Sequence, residues 1–98
     1  MVAYVIAERI EQWDPAVFVD YGPLAAASIA KFGGRYLAKT DRIAVLEGGG
    51  VAPLAAAVLE FPSVDRAEAW FASEDYQKAA AIRRAGAKNR FILMDGQG

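Results

Sequence analysis

Glu60 lies in Leu59-Glu60-Phe61, near the end of an apolar run from Leu54 to Phe61 that stops at Pro62. Burying a lone carboxylate is costly, so it needs a cationic partner or a raised pKa. Two uses follow. One is an ion pair with an arginine such as Arg83 or Arg90; the other is a general base or ligand anchor, which makes Glu60 the candidate catalytic residue. Tyr21, Tyr76 and Arg83 form a second set, candidates for substrate binding. A tyrosine presents an apolar wall with a polar tip, and an arginine a bidentate fork shaped for a carboxylate. Their competing use is structural, as core aromatics and a scaffold ion pair. Trp13 and Trp70 read as packing residues.

Composition removes much other chemistry. The 98 residues contain neither His nor Cys. That excludes a thiol nucleophile, an imidazole zinc site, a Ser-His-Asp triad and a histidine-ligated haem. The acids Asp14, Asp65, Glu74 and Asp75 sit where helix caps and first turns are expected, so no metal and no cofactor is expected. A net charge of −1, from 11 basic and 12 acidic residues, argues against a nucleic-acid binder. The acid-free succession Lys78, Arg83, Arg84, Lys88, Arg90 reads first as cations complementing a helix C-terminus, and second as an anion-binding patch. Gly48-Gly49-Gly50 fails as a nucleotide loop, because Pro53 stands where a dinucleotide fingerprint needs glycine and no Lys-Ser or Lys-Thr follows. Val2 to Ala7 lacks the basic flank of a signal peptide, and no apolar run approaches the roughly 20 residues of a membrane span. A cytoplasmic protein with no membrane partner is expected.

The elements that must position these residues are legible from periodicity. Val2 to Ala7 is β-branched, aromatic and apolar on both alternating faces, as in a strand buried on both sides. Asp14 and Pro15 suit a helix start, with Trp13 stapling against Phe18. Phe18, Tyr21, Ala25, Ile29 and Phe32 form one helical stripe, with a kink or a broken turn expected at Gly22-Pro23 and a stop at Gly33-Gly34. Arg35–Lys39 and Ile43–Glu47 are two extended runs, either a tight hairpin or one long bulged strand. After the strand Leu54–Phe61, Ser63 and Ser73 cap a helix in two pieces that ends at Gly86, and Phe91–Met94 is a last strand. The order is β-α-β-β-α-β in a single domain, residues 1–98. Strands apolar on both faces, with helices for only one, call for a second copy of the chain.

Ala3-Tyr4-Val5-Ile6, Tyr21, Phe32-Gly33-Gly34-Arg35 and Val45-Leu46-Glu47-Gly48 together carry a resemblance. So do Leu59-Glu60-Phe61-Pro62-Ser63, Ala69-Trp70-Phe71, Ser73 through Tyr76, and Arg83. The chain resembles the small bacterial family of unknown function numbered thirteen-thirty, most specifically in Glu-Phe-Pro-Ser and the Trp-Phe-x-Ser-x-x-Tyr helix that follows. The resemblance implies an α+β, ferredoxin-like domain with an antiparallel sheet, pairing as a dimeric α/β barrel. It implies that Tyr21, Tyr76 and Arg83 face a common cleft between sheet and helices. It also brings a superfamily of cofactor-free monooxygenases, isomerases and ligand-binding modules. The expected function is binding of a small acidic or aromatic metabolite by a homodimer, with isomerase or cofactor-free monooxygenase activity. The alternative is a non-catalytic dimerisation module; a subunit regulating another enzyme stands third.

Overall fold

A computed structural model describes residues 2–96. Seven elements follow one another: β1 Ala3–Gln12, α1 Val17–Lys31, β2 Arg35–Thr40, β3 Ala55–Phe61, α2 Val64–Ala72, α3 Glu74–Arg84 and β4 Ala87–Asp95. The strands form one antiparallel sheet in the order β2-β3-β1-β4. The fold is α+β and ferredoxin-like.

Local chemistry explains the boundaries. Gly33 adopts φ 78°, and Gly33 and Gly34 donate to the carbonyls of Ala30 and Ile29, closing α1 with the paired bonds of a left-handed C-terminal cap. Gly34 then passes so near the Phe61 ring that a Cβ there would lie 2.5 Å from it. Ser63 accepts from the Arg66 amide at 3.1 Å and caps α2. Ser73 separates α2 from α3: its hydroxyl donates to the Trp70 carbonyl at 2.6 Å and accepts from the Tyr76 amide at 3.1 Å. α1 runs through Pro23, whose missing donor leaves the carbonyl of the exposed Val19 to solvent.

The sheet's helix-facing side divides into two zones by register. Ala3, Val5, Leu59 and Phe61 are buried at one end. They pack with Ile29, Ala67, Trp70 and Tyr76 into the core. Trp70 is 1% exposed, and its indole N–H donates to Ser28 Oγ at 3.0 Å, so its polar atom is satisfied. Toward the other end the same face carries Ala7, Ala55 and Ala57, with Arg9 paired to Asn89 and Ala55 across the strands.

Three expectations need correction. The two extended runs of residues 35–47 are neither a hairpin nor one bulged strand: β2 ends at Thr40, and residues 41–54 form no regular element. Gly48, Gly49 and Gly50 all take positive φ there, a conformation that interrupts pairing. A bulge does exist, but within β2, where the register shifts between Tyr36 and Ala38. The first helix begins at Val17, because Asp14 Oδ1 accepts from the Ala16 amide and closes a turn ahead of it. Trp13 does not staple Phe18; its indole donates to the Ala85 carbonyl at 2.9 Å, tying β1 to the end of α3. The Phe18 ring is covered instead by the Arg9 guanidinium, 3.6 Å from its centroid.

Candidate binding cavity

Small side chains make the site. Ala55 and Ala57 on β3, Ala7 on β1 and Gly22 of α1 line one space, and a Cβ at Gly22 would find nothing within 4 Å. Large residues at these points would close the gap between sheet and helix. Alanines leave a cavity of about 140 Å³. Its walls are aromatic, from Phe18 and Tyr21 on α1, Tyr36 on β2 and Phe91 on β4. Besides the tyrosines, its polar side chains are Arg9, Lys39 and Asn89, and among the described residues no carboxylate lines it.

The β2 bulge matters to this lining. Side chains alternate along a strand, so positions 36 and 39 would fall on opposite faces of a regular one. The extra residue at Leu37 changes the phase, and Tyr36 and Lys39 share the helix-facing side. Lys39 Nζ accordingly lies 5.2 Å from the Tyr36 ring centroid. Burial raises the Tyr36 pKa above its ordinary value. Burial lowers that of Arg9, opposed by Tyr21. Arg9 Nη1 donates to Gln12 Oε1 at 3.0 Å, while Arg9 Nε and Asn89 Oδ1 are buried with no hydrogen-bond partner.

The structure brings together three of the four site residues singled out from sequence. Tyr21 lines the cavity, and its hydroxyl meets that of Tyr76 at 3.0 Å. Tyr76 is fully buried behind it, its pKa pushed far up by burial, then by Tyr21, against a lowering by Arg83. Arg83 is 3% exposed, with its guanidinium 5.5 Å from the Tyr21 ring and 5.1 Å from Phe91. Among the described residues it has no carboxylate within ion-pair distance, and its Nε lacks a partner. Cation–π contact is what it has instead.

Glu60 stands apart. Leu59 and Phe61 face the helices, so Glu60 between them faces the open side of the sheet. Its partner is neither Arg83 nor Arg90 but Arg35, its register neighbour on β2, at 3.0 Å. Arg90 pairs with Glu8 at 3.6 Å, again across the register. Lys78 pairs with Glu74 at 3.2 Å along α3. The remaining centre of the open face is apolar: Tyr4, Ile6, Val58, Ile92 and Met94. Among the described residues no three acids cluster to hold a metal, and no helix is long and apolar enough to cross a membrane.

A family model of a domain of unknown function, DUF1330, matches residues 2–97. The chain belongs to this family. No curated protein matches it. Among solved structures it is similar to RPA0582, a protein of unknown function from Rhodopseudomonas palustris. That match has 17% identity and a TM-score of 0.76, over 99% of this chain and 83% of that one. It is also similar to SnoaB, a cofactor-independent oxygenase from Streptomyces nogalater (18% identity, TM-score 0.62, 99% and 93% covered). A dimeric ferredoxin-like protein of unknown function from Jannaschia sp. CCS1 has a TM-score of 0.72 at 8% identity, with 98% and 100% covered. At these identities the likeness establishes the fold.

Sequence reading missed Arg9, Lys39 and Asn89. Arg9 was within reach, since it continues the alternation of Val5 and Ala7 on the inward side of β1. Lys39 was not, because nothing in Tyr36-Leu37-Ala38 announces the change of phase.

Proposed function

We propose that the protein works in the cytoplasm as a homodimer and holds a small acidic or aromatic metabolite in the cavity between the sheet and α1. One observation carries this reading: a hole walled by aromatic rings, with buried polar atoms left without partners beside it. Native interiors seldom leave such atoms unsatisfied, and a concave apolar site with a few convergent polar groups is the usual form of a small-molecule pocket. Tyr21 touches the ligand in this scheme. Tyr76 holds the Tyr21 hydroxyl, and Arg83 stacks behind the ring, so both act by positioning. Glu60 belongs to the opposite face and takes no part in proton transfer at this cavity. Turnover by isomerisation or cofactor-free oxygenation is the extension of this proposal, supported only by the likeness to a cofactor-independent oxygenase.

A second copy of the chain covers the open face. Support comes from its apolar centre flanked by the Arg35–Glu60 and Arg90–Glu8 pairs, and from the dimeric solved relative.

The test is a thermal-shift screen of small organic acids and neutral aromatics against wild type and Ala57→Leu, which fills the cavity. Stabilisation of wild type by some member, abolished in Ala57→Leu, is expected. If no compound shifts either protein, the interaction-module reading takes over. The burial of Tyr76 and Arg83 in the scaffold favours that second reading.

A further inference from the structure

The row of the sheet formed by Asn89, Arg9 and Ala55 ends the cavity. Arg9 arrives there with its guanidinium carbon 3.6 Å over the Phe18 ring centroid and one terminal nitrogen held by Gln12, so its orientation is set in advance. Its Nε is a buried donor with no acceptor, and Asn89 Oδ1 in the same row is a buried acceptor with no donor. Lys39 adds an exposed ammonium on the neighbouring strand, on this side only because of the β2 bulge. Among the described residues two cations and no carboxylate line the space.

We infer that this end of the cavity is an anion subsite, and that the ligand is a single-ring organic acid carrying a hydroxyl beside its carboxylate. The inference rests on the cavity reading above and adds the class of ligand. Arg9 and Lys39 take the carboxylate through charge-assisted bonds. Asn89 Oδ1 accepts from the hydroxyl, which satisfies the second orphan atom. The ring lies among the alanines and the aromatic walls. Size agrees: a cavity of about 150 Å³ admits one benzene ring, and this one measures about 140 Å³. Desolvation of Arg9, which lowers its pKa, strengthens its attraction for an anion.

The experiment is isothermal titration of the wild-type protein, Arg9→Gln, Lys39→Gln and Ala57→Leu with 2-hydroxybenzoate and with benzyl alcohol. Lys39 is exposed on an edge strand, so its variant folds whatever happens to Arg9→Gln, and circular dichroism checks both. The expected result is preference of wild type for 2-hydroxybenzoate. Arg9→Gln and Lys39→Gln should each weaken that acid by about tenfold or more, as loss of a charged hydrogen bond predicts, and leave benzyl alcohol unchanged. Equal binding of acid and alcohol, unmoved by either substitution but lost in Ala57→Leu, overturns the anion subsite and leaves the cavity reading standing. Binding of neither compound overturns the subsite, and in company with a silent acid screen it removes the cavity reading as well.

Discussion

The two faces of the sheet come from the same four strands, yet they differ in how their charges are paired. On the open face each charged residue near the apolar centre has an opposite charge beside it, Glu60 hydrogen-bonded to Arg35 at 3.0 Å and Glu8 ion-paired with Arg90 at 3.6 Å, the Glu8 Oε1 being buried without a hydrogen bond. On the helix face Arg9, Asn89 and Arg83 each keep a buried polar atom without a partner, and among the described residues none of the three joins an ion pair. Paired charges around an apolar centre suit a surface that meets another protein surface. Unsatisfied atoms around a hole suit a surface that meets a small molecule. The helix face is itself divided. Where its side chains are Val5, Leu59 and Phe61 they are buried against the helices, and where they are alanines the cavity opens.

The solid end should be the most sensitive to change. Trp70→Ala removes a fully buried indole and its hydrogen bond to Ser28, so urea denaturation should show a loss of about 3–5 kcal/mol. A loss under about 1 kcal/mol would mean that the core lies elsewhere. On the open face, Val58→Asp places a charge in the apolar centre. Light scattering after size exclusion should then fall from twice the chain mass to the chain mass, with the helical signal retained. A wild-type protein that already runs as a monomer removes the open face from the comparison. Tyr76→Phe deletes the hydroxyl bond to Tyr21 and the hydroxyl's attraction to Arg83, so its expected cost is about 1 kcal/mol. Glu60→Gln, breaking a pair whose arginine is exposed, should cost about 0–1 kcal/mol by the same urea measurement and leave ligand binding intact.

Alkaline pH acts on two tyrosines, the fully buried Tyr76 and the partly exposed Tyr36. Tyr36 and Tyr76 have pKa values raised in the folded state above an ordinary value of 10.0, chiefly by burial. Above that pH the unfolded chain releases protons that the folded chain retains. Their contribution to stability is therefore full below pH 10.0 and is lost as pH rises beyond it. Melting temperatures recorded upward from that pH should fall, and Tyr76→Phe should flatten the decline.

Much of this architecture was legible in the sequence. Alternating apolar runs located three strands, and Ser63, Ser73 and Gly33 marked helix ends, because capping is local chemistry between residues close in the chain. The stripe through Phe18, Tyr21, Ala25 and Ile29 placed Tyr21 on the inward side of α1. The site was legible only in part. Glu60 drew notice by its chemistry, but the parity of Leu59 and Phe61 already put it on the other face. Ala7, Ala55 and Ala57 look unremarkable one by one, and the cavity exists only once β1, β3 and α1 are brought together. The Leu37 bulge depends on how β2 pairs with β3, and that is a long-range fact.

The claim that the two faces have separate tasks is tested most directly by methyl nuclear magnetic resonance of the wild-type protein titrated with 2-hydroxybenzoate. Ala7, Ala57 and Ile29 line the cavity, whereas Ile6, Val58 and Ile92 lie on the open face. The account predicts that the first three methyl sets shift with ligand concentration and the second three stay in place. Shifts confined to Ile6, Val58 and Ile92, or no shift at any methyl up to saturating acid, would contradict it.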